Sequence, residues 1–182
     1  MRVSDTKQMP LHSSTQEAGP LMLQAFAWDM TPDASHWRYL AQHAQAIADL
    51  GVTIIWLPPA YKGNFGLDDV GYGVYDLYDL GEFDQKGTIP TKYGTKDEYL
   101  AAIDALHEAG IAVCADIVLN HRMGADATET VRATPINPQD RHQALGDPET
   151  IQAWTRFTFP GRGGAYSDFT WDWTCFHGID WD

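Results

Sequence analysis

An acid, an amide and an imidazole stand within six residues in the stretch DIVLNH, residues 116 to 121. The amide oxygen of Asn120 is a ligand type that hard cations accept. A neutral His121 imidazole can donate one hydrogen bond, for example to a sugar hydroxyl, and the Asp116 carboxylate can accept several. A simpler interpretation is that Asp116 caps backbone groups and His121 is a solvated loop residue. The hexapeptide alone leaves both interpretations open.

The apolar run that delivers these side chains predicts a buried parallel strand. It is IAVCADIVLN, residues 111 to 120, and Cys114 within it is expected to be a small buried side chain. A similar run, VTIIWLPP, occupies residues 52 to 59, and a shorter one, LMLQAFAW, occupies residues 21 to 28. Ligands of parallel α/β folds bind at the carboxyl ends of the strands. The polar end of the third strand is therefore the expected binding edge.

Two segments with helical spacing separate these strands. Apolar side chains recur every three or four residues from Ser35 to Gly51, a glycine that is placed as a C-terminal cap. The second helix is expected to begin after Thr95, which has Glu98 in capping-box spacing, and to end at Gly110. The order β-α-β-α-β, with right-handed crossovers, predicts the α/β class.

Differences in composition and in hydrophobic periodicity along the chain suggest the domain organisation. Residues 1 to 20 are polar and aperiodic, and we expect a disordered leader there. Residues 21 to 121 contain the predicted strands and helices, together with a long connection at residues 60 to 94 of the kind that is usually functional. Residues 122 to 182 are rich in Pro, Gly, Asp and Trp, which is typical of an irregular, partly β insertion after the third strand.

The charge balance narrows the classes of partner. With 25 acidic and 12 basic side chains the formal net charge is -13, which would repel a nucleic-acid backbone or an anionic lipid surface. No apolar stretch approaches the roughly 18 residues that a membrane span needs. The N-terminal segment also lacks the apolar core of a secretory signal. We therefore expect a cytoplasmic protein that binds neither nucleic acid nor membrane.

Several longer stretches together resemble the bacterial liquefying-type α-amylases, which belong to the largest amylase family of glycoside hydrolases. Their order and spacing are similar to that family from about Leu23 to Asp182. The resemblance implies a partial (β/α)8 TIM barrel, of about three strands and two helices, with an inserted domain B after the third strand. A complete barrel of this kind takes about 250 residues. The matching stretches are LPPAYKG (57 to 63), VGYGVYDLYDLGEFDQKGT (70 to 88), KYGTK (92 to 96), DIVLNHRMGADATE (116 to 129) and FPGRGGAYSDF (159 to 169).

The resemblance implies roles for four side chains. Asp116 would support the floor of the active site, and Asn120 would ligate a structural Ca²⁺ between the barrel and domain B. His121 would hydrogen-bond the glucose at the cleaved position, and Tyr72 would stack on the same sugar. Tyr72 taken alone is explained equally well as a loop aromatic that closes the core. The calcium site would be incomplete in this chain, because the family's other ligands would follow Asp182.

The family's reaction is hydrolysis of internal α-1,4-glucosidic bonds in starch, glycogen and maltodextrins with retention, by a carboxylate nucleophile and a second carboxyl group. The family's catalytic carboxylates lie on its fourth, fifth and seventh strands, and its Arg-x-Asp nucleophile signature does not occur in residues 1 to 182. We therefore expect no catalytic residue within this chain, no activity of the chain alone, and a monomer at full length. Two alternatives stay open: a non-catalytic glucan-binding pseudo-enzyme fragment, and a related barrel transglycosylase.

Overall fold

The computed structural model describes residues 19 to 180. The predicted leader, residues 1 to 20, lies almost wholly outside the described residues. No helix in the described part of the chain is long and apolar enough to cross a membrane. The elements along the chain are β1 (Met22–Gln24), α1 (His36–Asp49), β2 (Ile54–Leu57), β3 (Lys62–Gly63), a 3-10 helix (Gly66–Asp68), β4 (Val74–Asp76), α2 (Lys96–Glu108), β5 (Ala112–Ala115), β6 (Ala127–Ala133), β7 (Ile136–Asn137), β8 (Asp140–Ala144), β9 (Glu149–Arg156) and a second 3-10 helix (Trp173–Cys175).

A three-stranded parallel sheet in the order β1-β2-β5 forms the centre of the fold. The predicted α/β class with a parallel sheet is thereby confirmed. All three strands are shorter than the apolar runs from which they were predicted. The two prolines that follow β2 explain part of this difference, because they cannot donate to a ladder. Residues of the third run beyond Ala115 consequently find no pairing partner on β2.

Both helices pack on one face of this sheet and on each other. The core between them is closed by Trp37 of α1, Ile55 and Leu57 of β2, and Leu106 of α2, all of them buried. The predicted capping box at the start of α2 is confirmed, since the Thr95 side chain accepts from the Glu98 amide and the Glu98 side chain accepts from the Thr95 amide.

The opposite face of the sheet is open in the described part of the chain. Met22 on β1 is 52% exposed. The prediction that Cys114 is buried is wrong, because its side chain is exposed. Cys114 is paired in register with Trp56 on β2, and no described residue pairs with the other edge of β5. Apolar composition predicted the strand but could not predict which of its faces is covered.

A buried ionic network organises the long connection between β2 and α2. Its members are Lys62 on β3, Asp76 on β4, Asp79 and Gln85 in the following turns, and Arg162 far along the chain. The Gln85 amide donates to both carboxylates, at 3.0 Å to Asp76 and 2.9 Å to Asp79. The Arg162 Nε donates to Asp76 at 2.8 Å. The connection is therefore an ordered part of the fold.

The segment from residue 122 onward contains two antiparallel strand pairs, β6 with β9 and β7 with β8. A small second core next to the end of β9 includes Tyr75 of β4, Phe157 and Phe159. Asp126 connects this segment to β4, since its carboxylate accepts from the Tyr75 hydroxyl at 2.7 Å and from the Thr158 amide at 2.7 Å. The division of the chain at residues 121 and 122 stays a prediction.

Candidate functional site

The structure brings three of the four predicted site residues into direct contact at the carboxyl edge of the sheet. The Tyr72 hydroxyl donates to Asp116 Oδ2 at 2.8 Å. The Nε2 atom of His121 lies 2.8 Å from the carbonyl oxygen of Tyr72. The predicted proximity of Tyr72 and His121 is thus confirmed. Asn120 is adjacent, with its side-chain nitrogen 3.4 Å from His121 Nδ1.

Side chains from the end of β2 fix the segment that carries Asp116. Trp56 Nε1 donates to the same Asp116 oxygen as Tyr72, at 3.2 Å. Two residues further on, the Val118 amide donates to the hydroxyl of Tyr61 at 2.9 Å. These bonds replace the ladder hydrogen bonds that the chain loses after Ala115, so Asp116 has a defined position without belonging to a strand.

A tight backbone turn around Asp69 sets the position of Tyr72. One Asp69 carboxylate oxygen accepts from the amides of Gly71 and Gly73, at 2.8 and 3.1 Å. A Cβ atom at Gly73 would lie 2.3 Å from the same side chain. Gly71 has a φ of +98°, which a residue with a side chain rarely adopts. Both glycines of VGYG are therefore required by the turn that presents the Tyr72 ring.

Trp28 completes the site, and the sequence reasoning did not single it out. Its ring is stacked on the ring of Tyr72 at a centroid distance of 6.0 Å and an interplanar angle of 5°. Trp28 is 71% exposed, so much of this aromatic surface is open. The available signal was its position just after β1, at the carboxyl edge that Tyr72 and Asp116 also occupy. Parallel aromatic surfaces with nearby polar groups suit a ligand with both an apolar face and hydroxyl groups.

Comparison with known proteins identifies the protein family of this chain. Residues 26–159 match the family model described as "Alpha amylase, catalytic domain". The chain belongs to the α-amylase catalytic-domain family. The resemblance to bacterial α-amylases that the sequence predicted is thereby confirmed.

The α-amylase relatives are similar over most of this chain. An α-amylase from Geobacillus stearothermophilus is 55% identical over 161 residues, which are 88% of this chain and 29% of that protein. The cytoplasmic α-amylase of Escherichia coli is 52% identical over 88% of this chain and 32% of that protein. A solved structure of alternansucrase in complex with isomaltononaose has a TM-score of 0.65 and 30% identity, and covers 76% of this chain and 12% of that one. The chain thus spans under a third of the relatives' length, and its fold is part of a (β/α)8 barrel.

The α-amylase resemblance implied a calcium ligand at Asn120, and the described residues do not form a site for the ion around it. Residues 19 to 180 contain no group of three or more His, Cys, Asp or Glu side chains placed to hold a metal ion. One amide oxygen cannot replace the six to eight oxygen ligands of Ca²⁺. Calcium binding by Asn120 stays a prediction.

The hydrogen bonds around His121 assign the proton positions on its ring. Because Nε2 lies against the Tyr72 carbonyl oxygen, which can only accept, Nε2 carries the proton. In the neutral ring Nδ1 is then an acceptor and faces the Asn120 amide group. Nδ1 can therefore accept from a ligand only in place of its long contact with the Asn120 amide.

The Tyr72 hydroxyl should lose its proton at a higher pH than an ordinary tyrosine. Burial, followed by the hydrogen bond to the Asp116 carboxylate, raises the pKa of Tyr72 to about 12. An unfolded chain loses this proton near pH 10, so the native state binds more protons between about pH 10 and 12. The Tyr72 contribution to the free energy of unfolding is complete below pH 10 and decreases as the pH rises towards 12.

The difference between the tyrosinate absorbance titrations of the wild-type chain and Tyr72→Phe should isolate this group. We expect the missing tyrosine to titrate near pH 12. A difference curve centred on pH 10 would contradict the bond to Asp116. Tyr39→Phe is the control, because Tyr39 is 55% exposed on helix α1.

Proposed function

We propose that this chain forms one wall of the glucan groove of an α-amylase that hydrolyses internal α-1,4-glucosidic bonds of starch, glycogen and maltodextrins with retention. The contact of Tyr72 with both Asp116 and His121 at the carboxyl edge of the sheet carries this proposal. Its support from comparison is that the 52–55% identical relatives are named α-amylases. A monomer at full length and a cytoplasmic location stay predictions.

In this proposal the sugar packs against the aromatic surface made by Trp28 and Tyr72. Asp116 is a positioning residue, because its carboxylate fixes the Tyr72 hydroxyl and so the plane of the ring. His121 contacts the same sugar through Nδ1, which accepts a hydrogen bond from a hydroxyl group in place of its long 3.4 Å contact with the Asn120 amide. This differs from the donor role expected from the sequence, since the Nε2 proton is already directed at the Tyr72 carbonyl oxygen.

The proposal assigns neither the nucleophile nor the acid/base to the carboxylates near Tyr72. Asp69 accepts three backbone amide bonds, from Phe65, Gly71 and Gly73. Asp116 accepts from Tyr72 and Trp56. A nucleophile needs a free carboxylate oxygen, about 5–5.5 Å from a second carboxyl group across the bond that is cleaved. Both Asp69 oxygens are committed to backbone amides, and both bonds to Asp116 fall on Oδ2, which makes that carboxylate the positioning group for Tyr72.

The proposal predicts that the 182-residue chain binds maltotriose and produces no reducing ends from soluble starch. Isothermal titration calorimetry measures the binding, and a reducing-sugar assay measures the hydrolysis. Release of dextrins by this chain would contradict the assignment of the carboxylates. Failure of maltotriose to bind to the folded chain would contradict the groove itself. The two alternatives are tested on a longer protein that contains this chain. A pseudo-enzyme would bind starch without cleaving it. A transglycosylase would convert maltodextrins into longer products.

A further inference from the structure

His36 is a buried histidine between the core of the fold and the aromatic surface of the site. It is the first residue of α1 and is only 8% exposed. Its Nε2 atom is buried and has no hydrogen-bond partner among residues 19 to 180. Its ring packs against the rings of Trp37 and Tyr93, at centroid distances of 5.5 and 5.7 Å. Most buried polar atoms have a hydrogen-bond partner, so the position of this imidazole needs an explanation.

On one side His36 supports the loop that carries Trp28. This loop, residues 25 to 35, connects β1 to α1 and is called the Trp28 loop below. His36 follows directly after the loop, and its imidazole interacts with the backbone of Ala25 at the beginning of the loop. The imidazole therefore bridges the two ends of the loop that presents Trp28.

On the other side His36 supports the turn that carries Tyr72. The Tyr93 ring, which His36 contacts, is almost fully buried, and its hydroxyl donates to the carbonyl oxygen of Val70 at 2.9 Å. Val70 lies two residues before Tyr72. The Tyr93 carbonyl oxygen in turn accepts from the Trp37 amide at 3.0 Å, directly after His36. His36 thus contacts the supports of both aromatic rings that stack in the site.

The surroundings of His36 favour its neutral form. Burial lowers the pKa of His36, and the Ala25 backbone and the Asp33 carboxylate offset only part of this effect. The Asp33 carboxylate is already bonded to Ser35, accepting from its amide at 3.0 Å and from its hydroxyl at 2.6 Å. A cation at the first position of α1 would also face the positive end of the helix dipole.

The other titratable groups around His36 do not offset a positive charge on its ring. Arg38 on α1 and Glu98 on α2 form an ion pair with each other. Lys92 in the connection before α2 is a further cation, and its carbonyl oxygen accepts from the amide of Ala34 at 3.2 Å. Burial raises the pKa values of two tyrosines, so both stay neutral in acid; these are Tyr93 and Tyr99.

We propose that neutral His36 is a positioning residue that holds Trp28 against Tyr72, and that its protonation in mild acid releases the Trp28 loop and weakens sugar binding. The sugar-binding part of this inference rests on the proposed function. A histidine in an unfolded chain titrates near pH 6.5. Because the native pKa of His36 is lower, its contribution to the free energy of unfolding is complete above pH 6.5 and is lost as the pH falls through the native pKa.

The pH dependence of maltotriose binding tests this role. Between pH 7 and pH 5 the wild-type chain should lose about threefold or more in affinity beyond any loss in His36→Phe, which keeps a ring against Tyr93 and cannot be protonated. Protonation of His121 would also remove an acceptor for the sugar, but both chains contain His121. His43→Phe is the control, because His43 is exposed on the same helix and its loss should leave the wild-type pH dependence unchanged. Isothermal titration calorimetry gives the constants.

Amide hydrogen exchange of the Trp28 loop tests the same role without a sugar. After correction for intrinsic rates, exchange in this loop of the wild-type chain should be about threefold or more faster at pH 5 than at pH 7. His36→Phe should remove this difference, and exchange in strand β2 should not depend on the variant. If a circular dichroism melt shows that His36→Phe is unfolded at pH 7, His36→Gln replaces it, since an amide is uncharged at both pH values.

The two measurements separate this inference from the proposed function. Exchange in the Trp28 loop that does not change between pH 7 and pH 5, or that changes equally in the wild-type chain and the non-titrating variant, overturns the role of His36. Maltotriose binding whose pH dependence is the same in both chains also overturns it and leaves the proposed function intact. Absence of maltotriose binding at both pH values overturns the proposed function, whereas exchange that depends on His36 would still confirm its hold on the loop.

Discussion

Replacement of Lys62 by methionine should lower the free energy of unfolding of this chain by about 3–5 kcal/mol, the usual cost of removing one partner from a buried ion pair. The side chains of Lys62 and Asp79 are both fully buried, with Nζ and Oδ2 3.6 Å apart. Methionine has a similar length and fills the space. The expected loss therefore comes from charge and hydrogen bonding, with little contribution from a cavity.

Two separate penalties contribute to this loss. The Lys62 ammonium donates to the carbonyl oxygens of Phe83, Thr88 and Ile89, at 3.2, 2.6 and 2.7 Å, and these acceptors would be left without their donor. In addition, the network of two carboxylates and two cations would become a buried cluster with one excess negative charge. Water cannot compensate either change as long as the connection stays folded.

Urea denaturation followed by far-UV circular dichroism measures the effect. The control is Arg38→Met, which removes the ion pair between Arg38 and Glu98 at the surface, where the Arg38 side chain is 51% exposed. An exposed pair of this kind contributes less than about 1 kcal/mol. A loss in Lys62→Met no larger than that in Arg38→Met would show that the buried ionic network does not stabilise the connection.

The helices of this protein could be predicted from sequence because their end signals are local. Thr95 and Glu98 are three residues apart, and Gly51 and Gly110 follow the helix ends with φ values of +88° and +80°. The extent of a strand depends instead on a partner that is distant in the chain. For that reason the third strand was predicted to continue to residue 120, whereas pairing ends at Ala115.

The same distinction between local and distant contacts explains what was found and missed at the site. The strand ends and the family resemblance predicted that Tyr72 and His121 lie near each other, and in the structure His121 contacts the Tyr72 carbonyl oxygen directly. The hydrogen-bond partners of Asp116, Trp56 and Tyr72, are 60 and 44 residues away in the chain, and sequence periodicity cannot predict contacts over such distances. Arg162 lies 86 residues from Asp76 in the buried ionic network and was likewise not predictable.

Replacement of Tyr72 by alanine should weaken maltotriose binding about 10-fold or more while the fold is kept. A largely buried aromatic side chain contributes about 1.5–3 kcal/mol through the apolar area it removes from water, and 1.4 kcal/mol corresponds to a factor of ten. In the proposed groove that area is the ring face against the sugar, next to Trp28. Isothermal titration calorimetry on the 182-residue chain measures the change, and a thermal melt verifies the fold.

Tyr72→Phe is the matched control, because it keeps the ring and removes only the hydroxyl that donates to Asp116. If the ring face is what binds the sugar, this variant should lose much less affinity than Tyr72→Ala. Asp116→Ala should then resemble Tyr72→Phe more than Tyr72→Ala, since it leaves both the Tyr72 ring and Trp56 in place without their common acceptor. Because the hydroxyl and the carboxylate act through one hydrogen bond, the double variant should lose less than the sum of the two single losses. Equal affinity of wild type and Tyr72→Ala would instead mean that Tyr72 closes the core and does not bind sugar.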